Sequence, residues 1–231
     1  MVSDLLAAIG LTAGAAIAVA GLSITVPAGP AGRSLVAIAL AGWFALIVIL
    51  GAAGIFADTG GSGPPAIGLA VLLPVVILAW ASARPGLLRR AWHAIPLPVL
   101  IGVNAVRVLG IVMVLWHEAG RLSAPFAPIA GWGDVLIGLA AIPVALAVKA
   151  AAPGWRPAVL LWNALGLLDL VAAIALGLTS AEGTPLRLFF GEPGTGPMGE
   201  LPLVLIPAYL VPLLIVIHLA VFARLRARLS P

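Results

Sequence analysis

Seven apolar runs, each near the roughly 20 residues a helix needs to cross a bilayer, leave this chain few folds to adopt. They cover residues 5–26, 34–57, 66–82, 95–117, 130–149, 158–178 and 201–223, and charges or Pro/Gly clusters bound them. In lipid every backbone N–H and C=O must be paired internally, which leaves only helices and closed barrels. Barrel strands would alternate apolar and polar residues over about ten positions, and these runs are continuous. The expected fold is all-α: one polytopic membrane domain over residues 1–231, with seven transmembrane helices.

Composition agrees, with 63% apolar and 9% charged residues where a soluble domain carries about 25% charged. The excess of 12 basic over 8 acidic residues would suggest nucleic acid in a soluble protein. Here it follows topology. Loops after the first, third and fifth runs, with the C-terminus, hold Arg33, Arg84, Arg89, Arg90, Lys149, Arg156, Arg224, Arg226 and Arg228 and no acidic residue. The other side holds Asp4, Asp58, Glu118, Glu182, Glu192 and Glu200 against Arg121 and Arg187. By the positive-inside rule the first set is cytoplasmic, so the N-terminus is outside and the C-terminus inside. Trp80, Trp92, Trp116, Trp132 and Trp155 fall near predicted helix ends, as interfacial anchors do. The tail Arg224-Leu-Arg226-Ala-Arg228 can touch anionic headgroups, so membrane lipids are expected partners and nucleic acid is not.

The start, Met1-Val-Ser-Asp4, has no basic residue, and the run after it is longer than a signal-peptide core. The first helix is read as retained, with cleavage near Ala28 as the alternative. No cysteine is present, which removes disulfides, thiolate metal sites and thiol nucleophiles.

Three charges lie inside the runs: Arg107, Asp134 and Asp169. Arginine at bilayer depth costs about 2.5 to 3.5 kcal/mol, so Arg107 should face protein or trapped water and have an acidic partner. At about 1.5 Å per residue, Arg107 and Asp169 share a layer near the midplane, which Tyr209 joins, with Asp134 shallower. Asn163 and His218 are placed lower, each about 8 Å from the cytoplasmic end. Asn104, Arg107 and Gly110 form one helical stripe; Gly131, Asp134, Gly138 and Ala141 a second; Gly166, Asp169 and Ala173 a third. Small residues mark close helix approach, so the fourth, fifth and sixth helices are expected to pack around these groups. Asn104 and Asn163 read more as interhelical hydrogen-bond glue than as ligands, and His218 as a satisfied or interfacial histidine. Tyr209 and His218 are nine apart, on opposite faces of an ideal helix, and which one points inward is open.

Pro207 and Pro212 are expected to free the carbonyls of Leu203 and Ala208, either as a static kink or as ligand oxygens. The longest connection, residues 179–200, carries the apolar Leu188-Phe-Phe190 beside Arg187 and Glu192, a lid over the outer mouth or a loop lying in the interface.

Cofactor chemistry finds little support, and none is expected. His93, His117 and His218 are the only histidines, with no pair at i, i+4 for metal or haem. The only lysine, Lys149, ends a helix at the surface, where no retinal Schiff base forms. There is neither a Gly-rich phosphate loop nor a serine triad.

The order Arg107-Val-Leu-Gly110, Gly131-Trp-Gly-Asp134, Trp162-Asn163-Ala-Leu-Gly166-Leu-Leu-Asp169, Phe190-Gly191 and Leu205-Ile-Pro207-x4-Pro212-x5-His218 resembles a group of uncharacterised bacterial seven-helix proteins. The resemblance spans residues 104–220 and implies a bacterial inner (plasma) membrane location, without assigning chemistry. A partial parallel repeat relates Asn104-Ala-Val-Arg-Val-Leu-Gly-Ile-Val to Asn163-Ala-Leu-Gly-Leu-Leu-Asp-Leu-Val.

Function is expected to reside in Arg107, Asp134, Asp169, Asn104, Asn163, Tyr209 and His218 as ligand- or proton-binding groups. The first reading is a carrier for a small solute or proton, with Arg107 binding an anionic group and an aspartate exchanging protons. The alternatives are an enzyme acting on a lipid or isoprenoid by general acid catalysis, in an outline similar to small seven-helix membrane terpene cyclases, and a non-catalytic subunit or sensor. An inert Arg/Asp brace is the remaining possibility, and protein partners are not specified.

Overall fold

The computed structural model of this chain describes residues 2–26, 29–57, 63–84 and 86–227. Ala28, Asp58 and Arg228, used in the processing and charge readings, lie outside the described residues, as does the side chain of His93.

Among the described residues all regular structure is helical, and seven helices are long and apolar enough to cross a membrane. In chain order the helices are α1 (Val2–Thr25), α2 (Gly29–Ala52), α3 (Gly63–Ala83), the short α4 (Leu87–Ala94), α5 (Leu97–Glu118), α6 (Phe126–Lys149), α7 (Trp155–Ser180) and α8 (Ile206–Arg226). The short helix α4 was not expected, because eight residues between prolines do not register as an apolar run. It is amphipathic, exposes Arg89 and Arg90, and ends where Ile95 and Pro96 turn the chain into α5.

Two spans are irregular. Val103–Gly110, in the middle of α5, is a 3₁₀ helix, and Ile206–Leu210, at the start of α8, is a π turn in which the Val211 N–H reaches the carbonyl of Ile206. The helix expected from residue 201 therefore begins at Ile206, after a turn at 201–204. Pro207 sits in the first turn of α8, where a missing N–H costs least. The Leu203 carbonyl is not left free: it accepts the Ile206 N–H at 2.9 Å.

α5 packs most closely on α6, and α6 on α7, while α1 leans on α2 and α5, and α3 on α8. α8 is the buried axis, with Leu213 and Ile217 almost fully enclosed. At the basic end Arg224 donates to the carbonyl of Ile95, tying α8 to the α4–α5 corner. At the opposite end Arg121 donates to Asp4 and stacks 3.5 Å from the ring centre of Trp116. Trp116, expected at the interface, is instead buried beneath that guanidinium, whereas Trp80 and Trp132 remain half-exposed.

Candidate functional site: a guanidinium between two carboxylates

Arg107 lies in the 3₁₀ segment of α5, where three residues per turn place Asn104, Arg107 and Gly110 in one column. Opposite it, α6 is notched by glycine. A Cβ on Gly138 would lie 2.7 Å from the backbone nitrogen of Val108, and one on Gly110 would overlap the Cβ of Asp134. Such contacts admit only hydrogen there, so the two backbones close on each other and carry Asp134 to Arg107.

The guanidinium is almost entirely enclosed, its side chain 1% exposed. Its Nε donates to Asp134 Oδ1 at 2.7 Å, its Nη2 to Asp169 Oδ2, and its Nη1 to the Gly166 carbonyl at 3.0 Å. Nη1 also lies 3.3 Å from Nε2 of His218. Four elements thus converge: α5 supplies the cation, α6 and α7 one carboxylate each, and α8 the imidazole.

The imidazole tautomer follows from its neighbour. Asn163 Nδ2 donates to the backbone carbonyl of His218 at 3.0 Å, which fixes the orientation of the amide. Asn163 Oδ1 must then accept, so the His218 Nδ1 at 2.8 Å carries the proton. The lone pair is on Nε2, turned to Arg107, where an N–H of Nη1 meets it. Trp162 donates its indole N–H to the Ile137 carbonyl at 3.1 Å and lies 5.2 Å from the imidazole, ring centre to ring centre.

Several sequence placements change. Tyr209 is not in the layer: its hydroxyl donates to the Leu40 carbonyl at 3.3 Å, and its ring packs against Trp43 and Phe44 of α2. Depth alone had grouped it with Arg107, yet its side of α8 faces α2. His218 takes the opposite, inward side. Asn163 and His218, expected lower, reach the layer because α7 begins at Trp155 and α8 runs through Arg226, each starting or ending about three residues beyond the charge-bounded run. Asn104 is buried but gives no interhelical bond: its Nδ2 returns to the Leu100 carbonyl at 3.0 Å in its own helix, and its Oδ1 has no partner among the described residues.

One contributor escaped sequence reading. Gly133 faces Asp169 rather than Arg107, and a Cβ there would overlap the carboxylate. The second glycine of Gly131-Trp-Gly-Asp134 was its only signal. Gly166 serves twice, through its carbonyl and through its missing side chain, since a Cβ there would come within 2.5 Å of the His218 ring.

Asp134 also borders a second feature, a partly open crevice of about 240 Å³ between α3 and α7 at the end opposite the basic cluster. Its walls are apolar: Ile67 and Val71 from α3, Met113 from α5, Phe126 from α6, Ile174 from α7 and Ile206 from α8. The connection after α7 covers the mouth with Thr195, Gly196 and Met198, and the Thr195 hydroxyl donates to the Gly177 carbonyl at 3.2 Å. The Leu188-Phe-Phe190 patch, read as a lid or as a loop lying in the interface, does not line the crevice; Leu188 and Phe190 are exposed. Among the described residues no group of three His, Asp or Glu side chains is arranged to hold a metal ion.

A family model described as a domain of unknown function, DUF8737, matches residues 64–226. The chain belongs to that family. The matched stretch of this DUF8737 protein contains the whole Arg107 layer and every crevice residue named above. No curated protein and no solved structure matches the chain.

Proposed function

We propose that this protein is a bacterial inner-membrane carrier, N-terminus outside and C-terminus cytoplasmic, whose Arg107 layer takes up and releases one positive charge while it handles a small solute. The observation that carries this reading is a charge count. Arg107 faces both Asp134 and Asp169, and the His218 nitrogen turned to it is a lone pair, so the layer has one carboxylate more than it has cations. An unmatched charge away from water is costly, and a proton or small cation relieves it. Four of the five guanidinium N–H groups are engaged, so Arg107 holds the carboxylates in place rather than binding an anionic solute. The orientation rests on the basic cluster of Arg33, Arg84, Arg89, Arg90, Lys149, Arg156, Arg224 and Arg226 at one end.

Proton uptake by the purified protein in lightly buffered nanodiscs, followed with a pH indicator in sodium and in choline salts, tests the count. Asp134→Asn and Asp169→Asn each leave one carboxylate facing one guanidinium, so uptake should vanish in both. Uptake equal to the unsubstituted protein in both variants ends the reading. Exchanging the charges, Arg107→Asp with Asp134→Arg, keeps two carboxylates against one guanidinium, so the count predicts that uptake survives wherever the exchanged pair folds.

A second reading has one observation in its favour. Asp134 borders an apolar crevice, which suits general acid catalysis on a lipid or isoprenoid. Turnover of such a substrate, lost in Asp134→Asn and accompanied by no net ion movement, would select the enzyme.

A further inference from the structure

We infer that the crevice between α3 and α7 binds a lipophilic monocation, an amine or quaternary ammonium on an apolar body, with its charge at Asp134. This rests on the reading of the layer as a place that accepts positive charge, and it names what brings that charge.

The crevice wall decides the body. Apart from Asp134, Glu182 and Thr195, the lining offers almost only hydrocarbon and backbone, so a hydrated solute would lose water without gaining hydrogen bonds. The volume of about 240 Å³ exceeds the roughly 150 Å³ of an apolar cavity that accepts benzene. From Phe126 at the mouth to Asp134 at the floor is eight residues of α6, or about 12 Å. That depth takes one ring or a short chain lying along the helices.

The two ends decide the charge. Asp134 closes the floor and Glu182 lies at the mouth, and among the described residues no lysine or arginine lines the space between them. An anion entering would meet the carboxylate of Asp134 at the floor. A neutral apolar molecule would strip water from the floor carboxylate and return nothing. Asp134 gives Oδ1 to Arg107, and its side chain stays 11% exposed, so the carboxylate keeps an accessible edge on the crevice. A cationic head there balances the surplus carboxylate, and an ammonium or quaternary centre in apolar surroundings is held more strongly than in water.

The test uses the full chain in nanodiscs of zwitterionic lipid, with decyltrimethylammonium, decanol and decanoate titrated by calorimetry against empty nanodiscs. The cation should bind saturably, decanol about tenfold more weakly or less, and decanoate not at all. Asp134→Asn should weaken the cation about tenfold and leave decanol unchanged. Gly177→Leu should block both, because a Cβ there meets only the Phe126 ring at 3.5 Å and the rest of the side chain enters the crevice. Decanoate binding as well as the cation, or cation binding unaffected by Asp134→Asn, overturns the inference. If Asp134→Asn does not fold, undiminished cation binding in Gly177→Leu overturns it alone. Aspartate-dependent proton uptake without saturable cation binding ends this inference and spares the layer reading. Asp134-dependent cation binding without proton uptake supports this inference and ends the proton form of that reading.

Discussion

The two halves of this bundle are made from similarly apolar helices and are held together in different ways. Only 6% of the apolar window of α2 and of α3 is buried inside the protein, against 61% for α5 and 72% for α8. Leu46 and Ile49 on α2, and Leu73, Val76 and Ile77 on α3, face outward. The inner half instead spends glycines and charges: Gly110, Gly131 and Gly138 let α5 and α6 touch, and Arg107 then joins four helices. Lipid tails are as apolar as leucine, so hydrophobicity alone gives a membrane helix no reason to choose a neighbour. Close backbone approach and polar pairing supply that reason, and in this protein both sit on the α5–α8 side.

Removing the centre of the inner half should have the largest effect. Arg107→Gln strands two carboxylates and should cost about 3 to 5 kcal/mol of unfolding free energy in mixed micelles, whereas Leu46→Ala on α2 should cost about 0.5 or less. Equal effects would dissolve the contrast. Adding Asp134→Asn and Asp169→Asn to Arg107→Gln should recover most of the loss, because no charge is then unmatched.

Single methyl groups sharpen the same contrast. Gly138→Ala and Gly133→Ala should each destabilise by about 1 to 3 kcal/mol, the first against the α5 backbone and the second against Asp169. Gly42→Ala on α2 meets nothing within 4 Å and should stabilise by about 0.5 to 1 kcal/mol in the same assay. A smaller effect belongs to the hydrogen bond behind the imidazole. A double-mutant cycle of Asn163→Ala and His218→Ala should give a coupling of about 0.6 kcal/mol, the usual size of such bonds between membrane helices. Smallest of all, Tyr209→Phe gives up a long bond to Leu40 and should cost about 0.5 kcal/mol.

Much of this arrangement was legible before any coordinates, because lipid imposes hard limits. Run length fixed the seven spans, and the cost of a lone arginine demanded a partner for Arg107, which has two. Less legible were features that depend on how a helix is rotated. Tyr209 lies at the right depth and on the wrong side, and nothing in a sequence of apolar residues says which side of α8 meets α2. The spans were drawn too short at Arg224 and Arg156, since long basic side chains reach water from inside the span. The crevice is a gap between α3 and α7, helices distant in sequence, and no local pattern records a space that a neighbour fails to fill.

The 3₁₀ winding of Val103–Gly110 carries a mechanical consequence. At about 2.0 Å per residue those eight residues reach about 4 Å further than the same chain wound at 1.5 Å. Relaxing the coil to the wider 3.6 residues per turn would shorten the span by that amount and swing its two halves through nearly half a revolution about their common axis. Arg107 sits in the middle of that spring, and two labels at positions 97 and 118 would read its pitch as a distance.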